Sequence, residues 1–118
     1  MEFSESLKKN IDFRTVYRHG ISYADRYLVM YIKENKTEKN RLGISVSKKV
    51  GNSVVRHRLT RLIRESYRLN EEQFHRGLDI VVIARVNAKG ASYHQIEHAL
   101  LHLANLHAIT LEKKMESF

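Results

Sequence analysis

Cysteine and proline are both absent from this chain of 118 residues. Without cysteine there is no disulfide framework and no thiolate metal site, a usage that suits a reducing cytoplasm. Without proline, and with only five glycines, no stretch has the composition of a flexible linker. Missing too is an apolar run long enough to span a membrane. The start, Met1-Glu2-Phe3-Ser4-Glu5, lacks the basic and apolar regions of a signal peptide. No internal repeat is visible. These absences lead us to expect a cytoplasmic protein with no membrane partner. The length suits one domain over residues 1–118, and the 42% hydrophobic content is enough for an ordinary core.

Acidic residues are the scarcer charged class, 13 against 21 lysines and arginines, for a formal net charge of +8. They are scarcest in one place. Between Arg41 and Arg68 stand Arg41, Lys48, Lys49, Arg56, Arg58, Arg61, Arg64 and Arg68, opposed by Glu65 alone, so this stretch holds all but one of the net positive charges. A near-neutral body with one concentrated basic segment is the footprint of a polyanion binder, whereas a merely solvated face mixes both signs.

Residues Asn10–Tyr17 read as a short amphipathic helix. Asn10 is its expected cap, Phe13, Val16 and Tyr17 lie at helical spacing, and Gly20 ends it. Ile21–Glu34 is β-rich and aromatic and reads as one or two strands. The polar run Asn35–Asn40 suits a hairpin connection. Arg41–Ser47 alternates with period two, placing Leu42, Ile44 and Val46 on one face. After the basic turn Lys48–Asn52, a helix capped by Asn52 or Ser53 runs to about Leu69. Leu78–Ala84 is a continuous apolar run, suited to a buried strand parallel to a neighbour. Ser92 and Gln95 form a capping-box pattern opening a last helix with Ile96, Ala99, Leu100 and Leu103 on one stripe. The expected fold class is α+β, in the order α-β-β-β-α-β-α.

At 100° per residue, the central helix gathers Val55, Leu59, Leu62, Ile63 and Ser66 on one face. His57, Arg61, Arg64 and Arg68 line the opposite side as one stripe, and Arg56 and Arg58 flank the apolar edge. A guanidinium fork meets two phosphate oxygens at once, and the free N–H groups at the helix start near Gly51 and Asn52 add a second phosphate-binding feature. Like charges at this spacing repel, so the stripe makes most sense against a polyanion.

The segment Arg41-Leu42-Gly43-Ile44-Ser45-Val46-Ser47-Lys48-Lys49-Val50-Gly51-Asn52-Ser53-Val54-Val55-Arg56-His57-Arg58-Leu59-Thr60-Arg61-Leu62-Ile63-Arg64-Glu65 closely resembles the signature of the bacterial ribonuclease P protein family. Asp12–Gly20 resembles the family's N-terminal helix, and Asp79–Arg85 its last strand. The chain departs from the family pattern at His57, where asparagine is usual, and at Thr60, where lysine or arginine is usual. The resemblance implies a four-stranded sheet packed on one side by helices, with a left-handed β-α-β crossover through the basic helix. It implies two RNA-facing surfaces. Lys49, Asn52, Arg56, His57, Arg58, Arg61, Arg64 and Arg68 would dock on the ribonuclease P RNA. Phe13, Tyr17 and Tyr31, with Lys48 and Arg85 beside them, would hold the single-stranded leader of precursor tRNA; by spacing alone these aromatics read as core. It further implies a ribonucleoprotein endonuclease whose RNA performs the hydrolysis with magnesium at its own active site. No cofactor held by the protein alone, no protein catalytic residue and no obligate protein partner are expected.

Other chemistries find less support. His94, His98 and His102 recur every fourth residue, a spacing that can bind zinc, but they lie opposite the apolar stripe with no obvious completing ligand. His107 falls on the apolar side and reads as a satisfied core histidine. A helix-turn-helix is disfavoured because a strand and turn, not a helix, precede the basic helix. A protein-only nuclease would need clustered acidic residues for metals, and the carboxylates are scattered.

Overall fold

The computed structural model describes residues 1–110. The elements run β1 (Ser4–Ser6), α1 (Asn10–His19), β2 (Ile21–Ala24), β3 (Leu28–Glu34), β4 (Asn40–Ser45), α2 (Ser53–Asn70), β5 (Leu78–Ala84) and α3 (Tyr93–Leu106), with single 3₁₀ turns at Glu71–Gln73 and Val86–Ala88. The strands form one sheet in the order β1-β4-β5-β3-β2. β1 is parallel to β4 and β4 to β5, whereas β5–β3 and β3–β2 are antiparallel.

The α+β class holds, but the four-stranded sheet and the element order do not: the sheet has five strands and the chain begins with one of them. β1 is Ser-Glu-Ser, too short and too polar to show alternation. Tertiary partners hold it. The Glu71 carboxylate accepts from the backbone N–H of Glu2 at 2.7 Å and of Phe3 at 3.3 Å, and Ser4 Oγ meets the Tyr67 hydroxyl at 2.7 Å. Nor is Asn35–Asn40 a hairpin. β3 and β4 are not neighbours, because β5 lies between them. Only β5 is apolar on both faces along most of its length, so burial is greatest when it takes the centre.

The helices also occupy both faces rather than one. On one face Leu28, Met30, Ile32, Leu42, Ile80, Val82 and Ala84 pack with Leu59, Ile63 and Tyr67 of α2 and Ile96, Ala99, Leu100 and Leu103 of α3. Full burial of such side chains is worth about 1.5–3 kcal/mol each. The alternate residues of the same strands point the other way, where Val81, Ile83 and Tyr31 pack with Leu7 and with Phe13 and Val16 of α1.

Local signals explain most of the helix ends. α3 carries the expected capping box: Gln95 N–H donates to Ser92 Oγ at 3.2 Å and Ser92 N–H donates to Gln95 Oε1 at 2.9 Å. Asn52 caps α2 by accepting from Val55 N–H at 3.0 Å. α1 differs from expectation, since Lys9 occupies the cap position without a side-chain bond and Asn10 is already helical. Gly20 does close α1, and a Cβ there would lie 2.5 Å from the Val16 carbonyl oxygen and 2.9 Å from that of Ile32.

Candidate nucleic-acid interface

The α2 stripe is exposed as its spacing predicts: His57, Arg61, Arg64 and Arg68 all face solvent. His57, Thr60, Arg61 and Arg64 line an open concavity of about 570 Å³. Lys48 and Lys49 are exposed in the turn leading into the helix. Arg61 and Arg64 make no ion pair among the described residues. Several cations counted along the sequence do have partners. Arg68 pairs with Glu65 through two hydrogen bonds of 3.0 and 2.5 Å. Arg58 is half-buried and donates to the Ala91 carbonyl at 2.7 Å, tying α2 to the turn before α3. Arg41, the first cation of the basic stretch, lies in the sheet, where it grips the buried Asp79 through Nε at 2.8 Å and Nη2 at 2.6 Å. Arg56 is half-buried, and its Nε is a buried donor without a protein acceptor. Thr60 back-bonds to the Arg56 carbonyl at 2.9 Å.

A second surface forms where α1 crosses the sheet. Phe13, Tyr17 and Tyr31 come together as a row, with ring centroids 6.3 Å apart for Phe13–Tyr17 and 5.1 Å for Tyr17–Tyr31. Gly43 makes room for this row, because an added Cβ would meet the Phe13 ring at 2.7 Å. In register across the sheet, Gly43, Val81 and Tyr31 lie side by side beneath α1. Tyr17 keeps 38% of its surface exposed. Its hydroxyl is pushed above the usual tyrosine range by burial, partly offset by a hydrogen bond with Ser45 and reinforced by neighbouring Tyr31, so it stays neutral. Asn10, Phe13, Arg14, Tyr17, Ile44 and Ser45 line an open cleft of about 420 Å³. Sequence reasoning passed over Arg14, Ile44 and Ser45. Arg14 follows Phe13 on the helix, and Ser45 shares the Gly43 side of β4, but neither residue type signals a cleft. Lys48 and Arg85 follow the carboxyl ends of the parallel strands β4 and β5; Arg85 donates to the Asp25 carbonyl at 2.7 Å.

The two surfaces offer different chemistry. One is a cationic ridge for phosphates; the other is an aromatic ledge with polar edges, suited to unstacked bases. A model of the ribonuclease P protein family matches residues 1–107. This chain belongs to that family. The ribonuclease P protein component of Lachnoclostridium phytofermentans is 61% identical over 106 residues, spanning 90% of this chain and 91% of the relative. That of Alkaliphilus metalliredigens is 56% identical, spanning 87% and 93%. Among solved structures, the Staphylococcus aureus RNase P protein is similar with a TM-score of 0.82 at 41% identity, covering 88% of this chain and 95% of that one. The Thermotoga maritima protein gives 0.78 at 31% identity, covering 83% and 93%.

The histidines divide as their faces suggested. His94, His98 and His102 are exposed. The rings of His98 and His102 are parallel, with centroids 6.4 Å apart, and among the described residues no group of three or more candidate ligands could hold a metal ion. His107 is half-buried with Nε2 2.9 Å from the Met30 carbonyl. Burial lowers its pKa below the usual 6.5, more than the Met30 hydrogen bond raises it.

Proposed function

We propose that this chain is the protein subunit of a cytoplasmic ribonuclease P ribonucleoprotein, which removes the 5′ leader from precursor tRNA. In this reading α2 and the turn before it dock on the catalytic RNA. The cleft between α1 and β4 holds the single-stranded leader. The phosphodiester is hydrolysed by the RNA with its magnesium, and the protein contributes no catalytic residue. What carries the reading is the pairing of a solvent-facing arginine ridge, with Arg61 and Arg64 free of ion pairs among the described residues, on one sheet face with a partly exposed aromatic row on the other. Phosphates fit the first and unpaired bases fit the second. Stacking on Phe13 and Tyr17 is indifferent to base identity, which suits a subunit that meets many leader sequences. The arginines of α2 would lower the repulsion between two RNAs, reducing the demand for divalent cations.

The test is cleavage of precursor tRNA by a bacterial ribonuclease P RNA at low magnesium, with and without the protein. Cleavage at the mature 5′ end only when both are present supports the reading. Cleavage by the protein alone would place the chemistry in the polypeptide and overturn it. Failure to stimulate any of several RNA subunits would reduce the chain to a general nucleic-acid binder.

A further inference from the structure

α1 carries more positive charge than the cleft uses. Arg14 and Arg18 are both exposed, and neither makes a hydrogen bond or ion pair with an acid among the described residues. The helix has one acid, Asp12, and it faces the other way, 3.5 Å from Arg41. Arg14, Arg18, Ile11, Thr15 and His19 border a shallow groove of about 160 Å³ on the outer side of α1. Arg14 belongs to both places, because it also lines the aromatic cleft. Around the helix at 100° per residue, Phe13, Tyr17, Asn10, Arg14, Arg18 and Ile11 follow one another in angular order. A strand leaving the aromatic row over the top of α1 therefore meets Arg14 first and Arg18 next.

We infer that Arg14 and Arg18 form a phosphate track that carries the leader onward from the cleft, so that upstream nucleotides cross the outer face of α1. This rests on the leader-cleft reading and extends it to the length of leader the protein engages. The charge is complementary, because two unpaired guanidinium groups lie where a polyanion would emerge. The spacing suits a strand, since the two α-carbons lie about 6 Å apart along the helix. The exposed Ile11, at 66% of its full surface, offers an apolar ledge beside them. The occupant is single-stranded, because the groove continues a cleft built for unstacked bases.

The experiment measures holoenzyme affinity for two precursors, one with a leader of about four nucleotides and one of about sixteen, the limits of a single-domain strand site. Their salt dependences are measured with the wild-type protein, R18A, R14A/R18A and R14K/R18K. For the long leader, R14A/R18A should bind roughly tenfold more weakly. Its log–log salt slope should be shallower by about 1.4, the value for two lost single-strand phosphate contacts. The short leader, which Arg14 meets in the cleft, should lose less than the long one under R14A/R18A, R18A alone should weaken the long leader only, and the lysine variant should keep most of the wild-type slope. Equal losses for both leaders, no loss for either, or a lysine variant as weak as alanine would each overturn the track. Tyr17→Ala, measured alongside, separates this from failure of the cleft itself. It should weaken both precursors relative to mature tRNA, and if it does not, the leader-cleft reading fails whatever the arginine variants show.

Discussion

Gly43 lies in β4 beneath the Phe13 ring, and a methyl group there would come within 2.7 Å of Cζ and 2.8 Å of Cε1. Both atoms are at the free end of a side chain, so the fold can yield by turning the ring, at the roughly 1–3 kcal/mol typical of an added methyl in a packed site. The ring would then leave the aromatic row. Gly43→Ala should fold, bind mature tRNA normally, and bind leader-bearing precursor roughly fivefold or more weakly, since one stacked base is worth about 1–3 kcal/mol. An equal change for precursor and mature tRNA in a fluorescence titration would separate Phe13 from the leader. Gly20 makes the contrast, because its absent Cβ would strike two backbone oxygens that cannot turn aside. His107 is half-buried against the Met30 carbonyl and the Tyr23 ring. Its folded pKa lies below the 6.5 of an ordinary histidine. The unfolded chain therefore takes up the proton first as pH falls. Stability is fully present above that value and is lost on descending through it to the folded pKa. Replacing His107 by Gln should shrink the difference in Tm between about pH 7.5 and about pH 5.5. A difference equal to that of the wild type would show that other groups set the acid sensitivity.

At the scale of elements, α2 was the most legible part of the chain because everything that makes it is local. Asn52 caps it, the aliphatic residues recur with helical period, and the arginines keep to the far side. Those arginines strain the free protein. Arg61 and Arg64 are three residues apart, Arg64 and Arg68 four, and like charges at these spacings cost a few tenths of a kcal/mol per pair. The double variant Arg61→Ala, Arg64→Ala should therefore be as stable as the wild type or slightly more so, since alanine is also the better helix former. Its binding to the RNA subunit should show a salt dependence shallower by about 0.7–0.9 per lost contact. A less stable variant with an unchanged slope would mean that the ridge supports the fold rather than the RNA. β1 was illegible for the opposite reason. Three polar residues become a strand only because Glu71, Tyr67 and the edge of β4 are waiting for their backbone, and all three partners are distant in sequence. Tyr67 was missed in the same way. It lies beside the predicted apolar face, fully buried, because its hydroxyl finds Ser4 and the Nδ2 of Asn40. The insertion of β5 between β3 and β4 likewise follows from the total area buried, which no local window contains.

Over the whole molecule, charge counted along the sequence overstates what is free to meet RNA. Arg41 is held by Asp79, Arg68 by Glu65, and Arg58 is partly bound to a carbonyl oxygen, whereas Arg14 and Arg18 fell outside the basic stretch and are unpaired. The aromatic row was legible only through family resemblance, because helical spacing alone assigns Phe13 and Tyr17 to a core. The topology explains how one small domain can keep the two surfaces apart. Period-two alternation in β3, β4 and β5 sends one set of side chains to α2 and α3 and the other to α1, so the arginine ridge and the aromatic cleft stand on opposite sides of the sheet. They share no side chain and, in the proposed reading, touch different RNAs. Their contributions should then be independent. In a double-mutant cycle on kcat/KM for precursor cleavage, Tyr17→Ala and the paired alanine substitutions at Arg61 and Arg64 should add to within about 0.5 kcal/mol, the usual limit for sites without common partners. Each change should cost activity alone: the cleft variant by an amount that depends on the leader the substrate carries, the ridge variant whatever the leader and less at high salt, where the wild-type contacts are themselves weakened. A coupling energy well above that limit would mean that the leader reaches the ridge, or that the catalytic RNA reaches the cleft, and the division between the two surfaces would have to be redrawn.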